Sequence, residues 1–221
     1  AVVSRGLGDV YKRQLLHLAK HNNKFSIKIF LCFYLTFLIW NIIATSWLYY
    51  ASLGGVLFAV LVNSLLMTIV FSLFFIVSKK INSKLSLIFL VSFWLCFEKF
   101  HLMWDFSWPW LNIGNVFSEK TEWIQWYEYT GSFGGTLWVL LTNILIYKVF
   151  LSTIYNEKPR LLIVSVILVI IVPITISKII LYNLDLEEEP IDVFIIQPNI
   201  DPYSEKYNRT DKDNYHYLYD L

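Results

Sequence analysis

Charge is scarce in this 221-residue sequence: Asp, Glu, Lys and Arg make up only 16% of it, against roughly a quarter in soluble domains. Eighteen basic and 17 acidic residues leave a net charge of +1. Such a balance supplies no basic surface for a phosphate backbone, so nucleic acid is a poor partner class. Cysteine is almost missing as well, with Cys32 and Cys96 alone. Two are too few for a disulfide framework, and no CxxC pair or Cys/His cluster suggests a metal site. No cofactor is implied. Low-complexity tracts and fixed-period repeats are also lacking. What is abundant is apolar, with 57% of residues hydrophobic and 18% aromatic. Disorder needs the opposite composition, and the excess over ordinary globular usage points to a membrane protein.

Ser4 to Gln14 reads SRGLGDVYKRQ, which resembles the translation of a transposon-end sequencing adapter. Residues 1–14 are therefore expected to stand outside the fold; the other reading is a short basic amphipathic leader. With the start so read, further spans are expected upstream.

A helix that crosses a hydrocarbon core needs about 20 mostly apolar residues. Five stretches qualify: Ile27–Tyr49, Leu53–Val77, Leu85–Phe97 continuing toward Phe100, Phe133–Phe150 and Leu161–Leu181. The third has the shortest uninterrupted apolar run. Pro173 in the fifth removes a backbone donor and should kink that helix, which is tolerable in a membrane when a neighbour satisfies the freed carbonyl.

Short loops rich in Lys and Arg tend to stay cytoplasmic. Lys20 and Lys24 precede the first span, with Lys28 at its edge, Lys79, Lys80 and Lys84 follow the second, and Lys148, Lys158 and Arg160 lie around the join of the fourth and fifth. The intervening segments carry no charge near Ala51, or five acids and two lysines between Glu98 and Thr130. The alternation predicts that the tail after the fifth span emerges on the side opposite the cytoplasm.

That tail opens with Asp185, Glu187, Glu188 and Glu189 and changes character after Pro190. Val193 to Ile196 is apolar on both alternating faces, as in a central strand covered on two sides. Thr210, with Asp213 three residues on, reads as a helix N-cap, placing Tyr215, Leu218 and Tyr219 on one face. Residues 15–190 are thus expected to form a membrane domain with an external aromatic loop at 98–130, and 191–221 the first strand and helix of a soluble domain.

Seven of the nine tryptophans fall between Trp94 and Trp138. Such a concentration suits an aromatic belt at headgroup depth, or a rim that packs lipid. Trp108-Pro109-Trp110 followed by Gly114 predicts a rigid turn with a close backbone approach. Glu98 closes an apolar span, where a carboxylate is costly enough to need a partner or a function; the bland alternative is that it snorkels outward or pairs with Lys99 or His101. Gly131, Gly134 and Gly135 read as packing positions. Asn41, Asn63 and Asn143 read as interhelical hydrogen-bonding groups. Both cysteines sit in apolar spans and are expected to be inert. His17, His21 and His216 lack a second ligand at helical spacing, and the sequon at Asn208 carries no weight.

Glu98, Ser107-Trp108-Pro109-Trp110, Gly114, the stretch Trp123 to Gly135 and the later strand ending Gln197-Pro198-Asn199-Ile200 occur in this order after these spans. In that arrangement the chain resembles bacterial apolipoprotein N-acyltransferases. The resemblance implies an α-helical polytopic membrane bundle followed by an α/β/β/α nitrilase-like domain, of which only the first strand and helix would fall here. It implies a cytoplasmic (inner) membrane protein whose catalytic domain is external, with a phospholipid as acyl donor and a diacylglyceryl lipoprotein as acceptor. The family's catalytic Glu, Lys and Cys would lie beyond Leu221, so no catalytic residue is assigned and the chain is expected to be inactive by itself. Glu98, Trp108 and Trp110 would shape the lipid-facing entrance. Tyr182 stands where the family has an aromatic residue, typically Trp, and Gln197, Pro198 and Asn199 would seat the catalytic domain. The rivals are a transporter or channel fragment, disfavoured by midspan residues that are almost wholly apolar, and another lipid-modifying enzyme fused to the same membrane domain.

Overall fold

The computed structural model describes residues 24–50 and 53–184, together with residues 195, 210, 212, 213 and 216. The chain divides into two compact units, Ala1–Leu184 and Asp185–Leu221.

The described part of the first unit is helical. Helix α1 spans Ile27–Thr45 and runs on into a 3-10 turn at Ser46–Tyr50; α2 spans Leu53–Ser78 and α3 Ser83–Met103. Three short 3-10 turns follow, at Pro109–Leu111, Ile113–Phe117 and Thr121–Trp123. Helix α4 spans Tyr127–Ile154 and α5 spans Arg160–Tyr182. All five are long and apolar enough to cross a membrane, and they coincide with the five expected spans.

Two helices differ in their bounds from the sequence reading, for identifiable reasons. Helix α3 is longer at both ends. Its start is fixed by Asn82, whose side chain accepts from Leu85 N at 2.9 Å, satisfying one of the orphan donors of the first turn. Its end extends to Met103 because Glu98 and His101 turn inward and are buried. Helix α4 starts six residues early, at Tyr127 instead of Phe133, as a short turn interrupted at Gly131 with φ 62° and ψ −171°. That backbone conformation is open to glycine and strained for any side chain. No atom lies within 4 Å of a Cβ built at Gly131, so this glycine serves the bend and not, as expected, close packing. At the other end Asn156, at φ 55°, closes the helix, and Glu157 N donates back to Ser152 O at 2.9 Å.

The core lies between α1, α2 and α3 and is built of interleaved rings. Phe37, Phe71 and Trp94, one from each helix, meet pairwise with centroids 5.4, 5.8 and 6.1 Å apart, in the tilted and edge-on range that aromatic quadrupoles favour. Among them runs a polar seam. Asn63 Nδ2 donates to Asn41 Oδ1 across the α1–α2 contact at 2.7 Å, and Asn41 Nδ2 donates to Phe37 O at 2.8 Å. Asn143 donates to Val139 O of its own helix. Cys32 and Cys96 lie on outward, exposed faces of α1 and α3.

Helix α5 buries only Ser177 and otherwise turns its apolar surface outward, which suits a lipid environment. Proline 173 lies inside it and cannot donate to Val169 O, four residues earlier. Trp138 Nε1 on α4 donates to that same carbonyl at 2.6 Å. The neighbour demanded by the sequence is therefore Trp138.

In the second unit, Thr210 Oγ1 and N both donate to Asp213 Oδ2, at 2.6 and 3.1 Å, while Asp213 N donates to Thr210 Oγ1 at 3.3 Å. This reciprocal cap is the expected helix start. Of the expected strand only Ile195 is described; it is exposed and belongs to no regular element. Residues 1–14 and the seating residues Gln197, Pro198, Asn199 and Ile200 lie outside the described residues.

Replacing Trp138 by Phe should destabilise the bundle by about 1–3 kcal/mol, the cost of an unpaired buried carbonyl. In a Pro173→Ala background, where residue 173 regains an N–H for Val169 O, the same change should cost about 1 kcal/mol less. Unfolding measurements on the four proteins of the cycle check this; strict additivity would contradict it.

Candidate functional site

The connecting segment between α3 and α4 is folded down onto both helices by a single carboxylate. Glu98 is 2% exposed and its side chain points into the protein. Its Oε1 accepts from Trp94 Nε1, one helical turn earlier, at 3.0 Å and from the backbone N of Ile113 at 2.9 Å. Its Oε2 accepts from Thr136 Oγ1 at 2.6 Å. Thr136 Oγ1 in turn accepts from Gly114 N at 2.9 Å. Three donors from α3, the connecting segment and α4 thus converge on one buried group. The 2.6 Å hydroxyl contact is in the short range of charge-assisted hydrogen bonds. Lys99 does not share this site: its ammonium lies over the Phe133 ring at 5.8 Å. The burial rules out a Glu98 that snorkels to solvent.

The glycines explain why the segment can come so close. A Cβ at Gly114 would collide with the Ser132 carbonyl and lie 3.2 Å from Thr136 N. One at Gly135 would collide with the Tyr127 hydroxyl and lie 3.0 Å from Gly114 Cα. Tyr127 itself donates from its hydroxyl to Gly114 O at 2.8 Å. Both backbone groups of Gly114 are therefore held by α4, one by Thr136 and one by Tyr127. The expected close approach at Gly114 and Gly135 is present, and Gly134 is enclosed by the Thr130 and Trp126 side chains. Farther along, Gln125 N donates to Ser177 Oγ at 2.6 Å and ties the segment to α5.

The expected site residues distribute unevenly around this anchor. Trp108 is half-buried against the core, just before the 3-10 turn that begins at Pro109. Trp110 is 56% exposed and meets Trp47 edge-on at 5.5 Å, so that pair forms an outward aromatic surface. Tyr182 is 90% exposed at the end of α5 and takes no part in the Glu98 network. Thr136, Tyr127 and Trp94 are the members that the sequence alone did not single out. Only Trp94, four residues before Glu98, carried a readable signal, since that spacing places both on one helix face.

Several cavities adjoin these elements, among them one of about 260 Å³ walled by Phe117, Trp123 and Trp138. An apolar groove of about 570 Å³ runs between α4 and α5, walled by Trp126, Leu137, Trp138, Val172 and Pro173. A smaller one, of about 220 Å³, lies between α2 and the end of α3, where His101, Trp104 and Trp108 contribute to its wall. No group of three or more His, Cys, Asp or Glu able to hold a metal ion occurs among the described residues.

Five membrane-length helices, joined by a segment that a buried carboxylate pins in place, define a multi-pass membrane protein with a preorganised aromatic connection. The chain belongs to the acyltransferase family described by the apolipoprotein N-acyltransferase N-terminal domain, whose family model matches residues 14–145. It is 28% identical over 192 residues to the apolipoprotein N-acyltransferase of Chlorobaculum tepidum, an alignment that covers 86% of this chain and 36% of that protein. The chain thus spans little more than a third of the length of the curated relative. No solved structure matches it.

Replacing Thr136 by Val keeps the shape but deprives Gly114 N of its acceptor and Glu98 of a donor. The expected loss is about 2–3 kcal/mol, read as a lower unfolding temperature in detergent. Thr136→Ser keeps the hydroxyl and should lose only about 1 kcal/mol, the value of a buried methyl. Equal losses in the two variants would contradict the assignment.

Proposed function

We propose that this chain is the membrane portion of a phospholipid-dependent N-acyltransferase that acylates the N-terminal diacylglyceryl-cysteine of lipoproteins. The observation that carries the reading is the alignment with an apolipoprotein N-acyltransferase along 86% of the chain. The Glu98-anchored segment supports it, because a surface that must present lipid repeatedly in one geometry gains from being held rigid before the substrate arrives.

In this reading the protein sits in the bacterial cytoplasmic membrane with its nitrilase-like domain on the external side. The charge alternation of the loops supports that orientation. A cysteine thiolate of that domain, its proton taken by a carboxylate, attacks the ester carbonyl of a phospholipid; the carbon–oxygen bond breaks, a lysophospholipid leaves and a thioester remains. The free α-amine of the lipoprotein cysteine then attacks the thioester, an amide forms, and the thiolate departs. A lysine ammonium stabilises the oxyanion in both steps. The Glu, Lys and Cys concerned lie beyond Leu221.

The membrane portion contributes position. Glu98 acts through the segment it holds, Trp108 and Trp110 shape the side from which lipid enters, and Tyr182 marks the passage from α5 toward the soluble domain.

Acyl-enzyme trapping with a phospholipid labelled in its acyl chain tests the reading. The product of the gene from its natural start to its natural stop should form a hydroxylamine-sensitive adduct and pass the label to a diacylglyceryl-cysteine peptide. The 221-residue chain should form none, since its two cysteines, Cys32 and Cys96, lie on outward faces of membrane spans. No adduct on the natural gene product, or an adduct on Cys32 or Cys96, would overturn it.

A further inference from the structure

The cavity between α2 and the end of α3 holds buried polar groups with nothing to bond to. His101 is 4% exposed and both of its ring nitrogens lack a hydrogen-bond partner among the described residues. The same is true of Trp104 Nε1, Trp108 Nε1 and Asn63 Oδ1. All four residues line one space of about 220 Å³, together with Phe58 and Phe106. Those two rings are exposed and meet at 5.4 Å, so this wall is accessible from outside. His101 is fixed by stacking on Phe97 at 5.5 Å and by contact with Trp104 at 5.4 Å. Buried polar groups in folded proteins are almost always paired, and five unpaired atoms around one void call for a ligand.

The chemistry of that ligand follows from the inventory. The two indoles donate only; a neutral imidazole donates from one nitrogen and accepts at the other; Asn63 Oδ1 accepts. These three kinds of side chain therefore offer three donors and two acceptors, beside the Ser107 hydroxyl, which can do either. No Asp, Glu, Lys or Arg lines the cavity, so an ion would be buried without a counter-charge, at high cost. A hydrocarbon chain would leave all five groups unpaired. Hydroxyl groups donate and accept together, and several of them on one small skeleton meet both demands. A cavity of about 220 Å³ has room for several waters, and so for a three-carbon polyol.

The geometry points to a binding site for a neutral, hydroxyl-rich group of the glycerol type, with His101, Trp104, Trp108 and Asn63 as its hydrogen-bonding frame. The site is separate from the Glu98 network and does not require the acyl-transfer reading. Its occupant can be free glycerol or the terminal glycerol head of an anionic lipid, and the two sources are separable by experiment.

The protein, labelled with nitrogen-15 at histidine and tryptophan, is placed in phosphatidylcholine nanodiscs. Four histidines and nine tryptophans make these resonances assignable. One arm titrates free glycerol; a second replaces part of the lipid with phosphatidylglycerol; a third uses phosphatidylserine, equally anionic and without a polyol head. Saturable shifts of the His101 ring nitrogens and of the Trp104 and Trp108 indole N–H groups are expected in the first or second arm. A shift in the first arm alone identifies free polyol as the source, and one in the second alone identifies the lipid head. His101→Phe, which keeps a ring to stack on Phe97, should reduce the response of the indoles at least tenfold, and Trp108→Phe should weaken the response of the His101 ring. No saturable shift in the first two arms, an equal shift with phosphatidylserine, or full binding by His101→Phe would overturn the proposal.

Discussion

A carboxylate taken out of water must be met by donors or it will not stay there. Glu98 meets that condition with an indole from its own helix, a backbone amide from the connecting segment and a hydroxyl from the next helix. Because each donor belongs to a different element, satisfying the charge and docking the segment are the same event. The contact between Gly114 and the α4 backbone depends on that docking, and so does the hydrogen bond from Tyr127. Glycine at positions 114 and 135 gives the close approach its space, and the bend at Gly131 lets Tyr127 reach back over it. The segment that follows Met103 is held by this anchor together with the packing of Trp108, Leu111, Ile113 and Phe117 against the bundle core.

The same rule, that a polar group inside the membrane must find a partner within the protein, recurs at smaller scale throughout the bundle. Asn41 and Asn63 pair with each other across α1 and α2. The carbonyl released by Pro173 is taken by Trp138, and the one buried side chain of α5, Ser177, accepts a backbone amide from the connecting segment. Helix α5 is attached by these two hydrogen bonds and a narrow contact face, with an apolar groove beside them. A helix held in this way suits a bilayer, where the outward face needs no protein cover. Ser72 Oγ and Tyr147 Oη also lack a partner among the described residues, but the five such atoms around His101 gather at one cavity.

Hydropathy and length located all five spans, because the cost of burying backbone and charge in lipid leaves few other solutions. The need for a partner at Pro173 was legible for the same reason, although nothing in the local pattern named Trp138, which lies 35 residues away in sequence. The cap at Thr210 was legible because both halves of it are local. What the sequence could not show was the direction of Glu98. A carboxylate near a span end reads equally well as snorkelling or buried, and its partners, Ile113 N and Thr136 Oγ1, are 15 and 38 residues distant. The early start of α4 was hidden because Tyr127 to Gly131 is polar and glycine-broken, the pattern of a loop. Gly131 read as a packing residue since a positive φ leaves no mark on composition.

Membership of the apolipoprotein N-acyltransferase N-terminal domain family and five membrane-length helices place these features in a multi-pass membrane protein whose aromatic connection is pinned by one carboxylate. The claim on which this rests is that the Glu98 carboxylate holds that connection in place. Hydrogen–deuterium exchange of the backbone amides of Ile113 and Gly114 in nanodiscs measures it directly. Both amides should exchange as slowly as the interior of α4, and become fast in Glu98→Ala while the α1–α2 core stays protected. Rapid exchange at both positions in the unmodified protein, or unchanged protection in Glu98→Ala, would contradict it.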